Sequence, residues 1–167
     1  MSSTNENLQA AFAGESQASR KYLYFAEKAE KDGYPQIARL FRAASEAETV
    51  HARNHLNVMS GIGTVKENLQ AAINGENYEF TRMYPEFITQ AKIEGNNKAV
   101  QSFNWANRVE KIHHSLYEQA LKDVEAGKTL ENKPYYVCQR CGNTVEGEAP
   151  EVCPVCGAPR SVFKRID

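Results

Sequence analysis

The chain has 167 residues, 41% of them hydrophobic, and a formal net charge of -1. That balance excludes a general electrostatic case for nucleic acid or an anionic membrane as partner, and no run approaches the roughly 20 apolar residues of a membrane span. The opening MSSTNENLQA lacks the basic and apolar regions of a secretory leader, and all four cysteines lie between Cys138 and Cys156 as two C-x-x-C pairs. A cytoplasmic metal protein is therefore expected, not a disulfide-framed secreted one.

After Asn5 and Asn7, small and apolar residues recur at helical spacing: Leu8, Ala11, Phe12, Ala18, Ser19, Tyr22, Leu23 and Ala26, with Glu15 among them. This first helix runs to KDGYP, where Gly33 and Pro35 interrupt it. A second carries Ile37, Leu40, Phe41, Ala44, Glu48, His51, His55 and Leu56 and stops at SGIG. Thr64 and Glu67 have the spacing of a capping box. They open a third helix through Leu69, Ala72, Ile73, Glu76, Glu79, Phe80 and Met83, with a kink expected at Pro85 and an end at EGNN. The fourth holds Ala99, Phe103, Ala106, Glu110, His113, Leu116, Tyr117 and Leu121. EAGKTLENKP then reads as a linker. The expected architecture is an all-α four-helix bundle over residues 1–127, a linker at 128–134, and a small metal-knuckle domain at 135–167.

The chain writes one phrase twice: LQAAFAGE from Leu8 and LQAAINGE from Leu69. Leu8 to Leu69 and Glu15 to Glu76 are offsets of 61, whereas Gly33 to Gly95, Glu48 to Glu110 and His51 to His113 are offsets of 62. One extra residue therefore entered the second copy near Pro85. Each half is a helical hairpin with one glutamate on its first helix and Glu-x-x-His on its second, ETVH at Glu48–His51 and EKIH at Glu110–His113. Residues three apart share one helix face. Two such pairs, plus a glutamate from each other helix, give the ligand count of a carboxylate-bridged di-iron or di-manganese site in a bundle core. Four converging carboxylates would otherwise be protonated by desolvation and mutual repulsion.

The two halves differ at one position, where Ala18 in the first corresponds to Glu79 in the second. A fifth carboxylate favours a higher metal charge, and His51 suits the ferrous state, so a metal could exchange His51 for Glu79 as it is oxidised; an exposed or salt-bridged Glu79 is the alternative. His55 and His114 fall near this face as supporting or surface residues. Tyr22 and Tyr84 could hydrogen-bond ligands or supply a proton, or serve as ordinary core tyrosines.

CQRCG and CPVCG are two knuckles, each with glycine after the second cysteine, where a tight turn can aim backbone N–H groups at sulfur. Cys138, Cys141, Cys153 and Cys156 form a tetrathiolate site, with Tyr135, Tyr136 and Phe163 expected to fill a small core beside it. Four thiolates accept zinc or iron. A dinuclear centre doing two-electron chemistry needs a one-electron supply on the same chain, which selects iron.

Taken together, these motifs make the chain resemble the rubrerythrins over essentially its whole length. The resemblance implies a ferritin-like di-iron bundle with a rubredoxin-like tail, acting as a non-haem peroxidase that reduces hydrogen peroxide to water in oxidative-stress defence. It implies electrons from a reduced-pyridine-nucleotide-dependent reductase, often through rubredoxin. The family's di-iron ligands map onto Glu15, Glu48, His51, Glu76, Glu79, Glu110 and His113, its iron-cysteinate ligands onto the four cysteines, and its site tyrosines onto Tyr22 and Tyr84. A ferritin-class protein that oxidises and stores iron shares the bundle but has no use for the tetrathiolate. A helical binding module with a zinc ribbon does not account for the seven convergent ligands.

The connection between helices two and three looks abbreviated. Of the 28 steps from Glu48 to Glu76, about 23 helical ones extend about 34 Å, and five extended residues span only about 17 Å. A long crossover within one bundle does not fit. The expectation is a domain-swapped homodimer in which hairpin one of each chain packs with hairpin two of the other, unless helix three begins later than Thr64 indicates.

Overall fold

A computed structural model describes residues 3–167. The chain forms two compact units, divided between Gly63 and Thr64.

The first unit is a helical hairpin. Helix α1 (Thr4–Lys31) begins at a capping box: the Ser3 hydroxyl accepts the Glu6 N–H, and the Glu6 carboxylate accepts the Ser3 N–H. The helix thus starts a little before the two asparagines. Gly33, at φ +82°, turns the chain into α2 (Pro35–Val58), where Pro35 occupies a first-turn position that has no N–H to satisfy. Small residues let the two helices approach closely. Ala26, Ala29 and Ala38 are buried with Phe41 against them. Ser19 and Ser45 are buried too, and both are satisfied: Ser45 Oγ donates to the Ser19 carbonyl at 2.8 Å, and Ser19 Oγ lies 2.9 Å from Thr49 Oγ1.

The α2 helix closes tightly. Ser60 takes a left-handed backbone at φ +56°, and a Cβ on Gly61 would lie 2.3 Å from Leu56 Cδ1. Thr64 and Glu67 then form the expected capping box, so α3 starts at Val65 (Val65–Tyr78).

In the second unit α3 does not simply kink at Pro85. It passes through a π-helical turn at Glu79–Met83 and continues as α4 (Tyr84–Ile93). A π turn holds one residue more than the α turn it replaces, and proline removes an N–H from the ladder. This accounts for the change of register in the repeat. Ala18 and Glu79 are 61 apart, whereas Tyr22 and Tyr84 are 62 apart, so the extra residue falls inside the π turn. Gly95 at φ +68° and Asn96, whose side chain accepts the Ala99 N–H, lead into α5 (Asn97–Glu125).

The tail is a three-stranded antiparallel sheet of order β2-β1-β3, with β1 at Tyr135–Cys138, β2 at Thr144–Glu146 and β3 at Phe163–Ile166. Cys138 stands opposite Phe163. The tail shares a core with α5. Val109, 2% exposed, is buried with Cys138, Cys153, Val155 and Ala158, and Trp105, Ile112 and Phe163 pack around them. Of the aromatics expected in that core, Phe163 packs there, whereas Tyr135 is exposed; α5 supplies the remaining apolar surface. Arg108 pins the second knuckle to the helix by donating to the carbonyls of Val155 at 2.7 Å and Pro154 at 2.8 Å.

Candidate metal centres

Each hairpin gathers the same three side chains. In the first, Glu15 from α1 meets Glu48 and His51 from α2; in the second, Glu76 from α3 meets Glu110 and His113 from α5. Within each trio the ligand atoms lie within 4.8 Å of one another. That is near the reach of donors each about 2.0–2.2 Å from one ion. His51 Nδ1 is 2.9 Å from Glu48 Oε2 and 3.8 Å from Glu15 Oε1. His113 Nδ1 repeats this at 2.8 Å from Glu110 Oε2 and 3.7 Å from Glu76 Oε1. The Glu-x-x-His spacing and the 62-residue repeat thus have a direct three-dimensional counterpart.

Electrostatics in the second trio favour a bound cation. Burial pushes the Glu76 carboxyl from 4.5 up to about 7, with the Glu110 charge adding and His113 opposing. Glu79, one turn on, is raised by burial and then by Glu110, again against His113. Its hydrogen bond to Glu110 raises His113, against burial. Burial also raises the Tyr84 phenol, helped by Glu110, Glu79 and Glu76. Carboxylates held at this density bind either protons or a cation, and an oxygen-rich set with imidazole suits iron or manganese.

Glu79 is close enough to feel Glu110 and His113 but lies outside the tight trio. Neither His55 nor His114 joins a trio; His114 sits edge-on to Phe80 and 3.8 Å from Glu118. The tyrosines occupy matching aromatic clusters. Tyr22 packs on Phe25 and Phe41 with centroids 6.2 and 6.1 Å away. Tyr84 packs on Phe87 and Phe103 at 6.3 and 6.2 Å. Phe25 to Phe87 and Phe41 to Phe103 are again offsets of 62. Extending the repeat to aromatic positions is thus the signal that picks out these phenylalanines.

The four cysteines converge at the end of β1 and in the two knuckles. Cys138 and Cys156 sulfurs are 3.7 Å apart and Cys141 and Cys153 sulfurs 3.6 Å. This is far beyond a disulfide and close to the edge, about 3.8 Å, of a tetrahedron with metal–sulfur bonds of about 2.3 Å. Gly142 and Gly157 have φ of +83° and +71°, as the knuckle turns require. Burial pushes the Cys153 thiol up, but the Cys156 and Val155 N–H groups and neighbouring thiols outweigh it and bring Cys153 to about 7. Burial raises Cys141 and Cys156, against N–H groups of Asn143 and Ala158. The backbone donors are therefore already aimed at sulfur, as thiolate ligands need.

The Rubrerythrin family profile matches residues 6–121, and the profile for the rubrerythrin rubredoxin-like domain matches residues 136–164. The chain belongs to the rubrerythrin family. It is 35% identical to rubrerythrin-2 of Clostridium acetobutylicum, covering 96% of this chain and 95% of that one. It is 38% identical to nigerythrin of Nitratidesulfovibrio vulgaris, covering 96% and 85%. The solved structure of fully reduced, all-ferrous nigerythrin matches with a TM-score of 0.58 at 37% identity, over 99% of this chain and 88% of that one. The fold class is accordingly a ferritin-like bundle with a rubredoxin-like domain. As a rubrerythrin, the chain is an oxidoreductase of oxidative-stress defence. Its cofactors are iron, in a di-iron carboxylate centre and a tetracysteinate centre. No helix among the described residues is long and apolar enough to cross a membrane.

Two residues of this region carry no signal in motif spacing. Arg108 looks like an ordinary surface cation two residues before Glu110, and Thr144 like one more strand threonine. The packing of the tail on α5 gives them their long-range partners.

Proposed function

We propose that this rubrerythrin is a peroxidase that reduces hydrogen peroxide to two waters, consuming two protons and two electrons. The observation that carries the reading is that α5 serves both chemistries: Glu110 and His113 belong to a carboxylate trio, while Trp105, Val109 and Ile112 line the core around the four cysteines. Glu15, Glu48, His51, Glu76, Glu79, Glu110 and His113 would hold the two irons of the bundle, and Cys138, Cys141, Cys153 and Cys156 the third. Iron so held supplies electrons and Lewis acidity for O–O cleavage.

The chain's own residues do the rest. Tyr84 stays protonated, because burial and three nearby carboxylates raise its phenol; it can donate a hydrogen bond or proton to a bound oxygen, and Tyr22 holds the matching place in the other hairpin. His51 is the more exposed imidazole, 52% against 26% for His113, and is free to yield its position to Glu79 as the metal charge rises. Electrons would reach the tetracysteinate iron from rubredoxin or a reductase dependent on NADH or NADPH. Four cysteines confined to two metal knuckles point to the cytoplasm.

Residues 1–127 form the ferritin-like domain, 128–134 the linker and 135–167 the rubredoxin-like domain in this reading, and the bundle is completed by a second copy. From Glu48 to Val58 and from Val65 to Glu76 the chain is helical, a combined rise of about 31 Å. The seven steps from Val58 to Val65 extend at most about 25 Å. Glu48 and Glu76 of one chain could not lie level in one bundle with α2 and α3 parallel, so a domain-swapped dimer supplies each site with Glu15, Glu48 and His51 from one copy and Glu76, Glu79, Glu110 and His113 from the other.

Two experiments test this. Iron-loaded protein should lose its visible tetrathiolate colour with dithionite and regain it with peroxide, consuming one peroxide per two electrons; iron oxidation and mineral growth without peroxide turnover would make it a storage protein. Co-expression of Glu15→Ala/Glu48→Ala with Glu76→Ala/Glu110→Ala chains should restore one dinuclear site per mixed dimer. No bundle iron in the mixture would refute the swap.

A further inference from the structure

His113 is held from both sides. Its Nδ1 faces the trio, 2.8 Å from Glu110 Oε2, while its Nε2 lies 2.9 Å from Thr144 Oγ1 on β2. Thr144 Oγ1 is also 3.0 Å from the carbonyl of Gly142. A hydroxyl has one hydrogen, and a carbonyl can only accept. The Thr144 proton therefore goes to Gly142, and Thr144 Oγ1 accepts from His113. That assigns the Nε2 hydrogen of His113 and leaves the Nδ1 lone pair for a metal among Glu76 and Glu110. His51 has no such tether: its hydrogen bond is at Nδ1 to Glu48, and among the described residues no partner meets its Nε2.

Building on the di-iron reading, we propose that Thr144, the hydroxyl at the rim of the first cysteine knuckle, is a positioning residue that fixes the tautomer and orientation of His113. The hydrogen bond from the second imidazole nitrogen of a metal-bound histidine commonly sets which nitrogen ligates. Here the rubredoxin-like domain provides it, to the hairpin on which it is packed. The consequence is an inequivalent pair of imidazoles: His113 is tethered at Nε2, and His51 is not. The sequence repeat, which makes the two histidines equivalent at 62 residues apart, hides this difference, because Thr144 lies outside the repeat.

The test uses the full-length protein, labelled with 15N-histidine and filled with zinc, which is diamagnetic. Long-range proton–nitrogen correlation spectra should give wild-type His113 a single signal set, with zinc on Nδ1 and a slowly exchanging Nε2 hydrogen. Thr144→Val should speed exchange of that hydrogen by about tenfold, the equivalent of one ordinary hydrogen bond, and add a second, Nε2-ligated set. Thr144→Ser should restore the wild-type pattern, and His51 signals should stay the same in all three proteins. A valine variant with the wild-type single set and exchange rate overturns the assignment. So does a serine variant that behaves like valine, since the methyl group would then be what matters. Wild-type protein that takes zinc only at its cysteines fails differently: it overturns the dinuclear reading itself.

Discussion

Replacing Glu76 with glutamine should stabilise the metal-free protein and weaken the metal-loaded one. In the metal-free fold burial and the Glu110 charge raise Glu76 from 4.5 to about 7. The folded state thus holds this proton more tightly than the unfolded chain does. Below pH about 4.5 both states are protonated and there is no penalty; as pH rises to about 7 the unfolded chain ionises first, and stability falls. Above 7 the penalty is complete. Two and a half pH units correspond to at most about 3.4 kcal/mol. With the side chain 19% exposed, solvent screening reduces this to about 1–2 kcal/mol.

Glu76→Gln removes the ionisation while keeping the shape. Thermal melts followed at 222 nm on chelator-treated protein should find the two proteins equal at pH 4 and the glutamine form more stable at pH 8 by about 3–6 °C. Ferrous iron should reverse the order, because the wild type gains a cation beside its carboxylate and sheds a proton to bind it. If metal-free wild type is equally stable at pH 4 and 8, or if glutamine destabilises it at both, burial and Glu110 do not raise the Glu76 carboxyl.

Other perturbations address separate parts of the molecule. Arg108→Ala deletes two charged hydrogen bonds to the second knuckle, worth about 1.5–3 kcal/mol each; proteolysis in the 128–134 linker should accelerate while the tetrathiolate absorption is unchanged. Tyr84→Phe should lower peroxide turnover by about 10²-fold at full iron content if the phenol supplies a proton, and unaltered turnover would remove it from the catalytic set. Ser45→Leu should overpack the α1–α2 seam, where Ser45 is 3% exposed. The cost is about 1–3 kcal/mol, read as a lower urea midpoint.

Much of this site is legible in the sequence because its logic is periodic. Glu15, Glu48 and His51 and their counterparts recur at fixed offsets, and helical geometry turns those offsets into convergent side chains. Thr64 and Glu67 announce the start of α3 through local hydrogen bonds, and the structure has that start at Val65. The π turn is legible only as a slip from 61 to 62, and its form depends on how a helix absorbs one residue beside Pro85. The seating of the tail on α5 is not legible at all. Val109 and Trp105 have helix spacing that fits any apolar partner, Arg108 bonds carbonyls 46 and 47 residues away, and Thr144 bonds an imidazole 31 residues away. Long-range polar pairs of that kind leave no periodic trace.

The central claim is that six carboxylate and imidazole side chains, three from each hairpin, surround a pair of iron ions with Glu79 at hand. Iron-edge anomalous diffraction from crystals of iron-reconstituted protein tests it directly. The account predicts three peaks per chain: one among the four cysteines, and two between a Glu15–Glu48–His51 trio and a Glu76–Glu110–His113 trio. A peak at the cysteines alone, with both trios holding only water or salt-bridging each other, would contradict it.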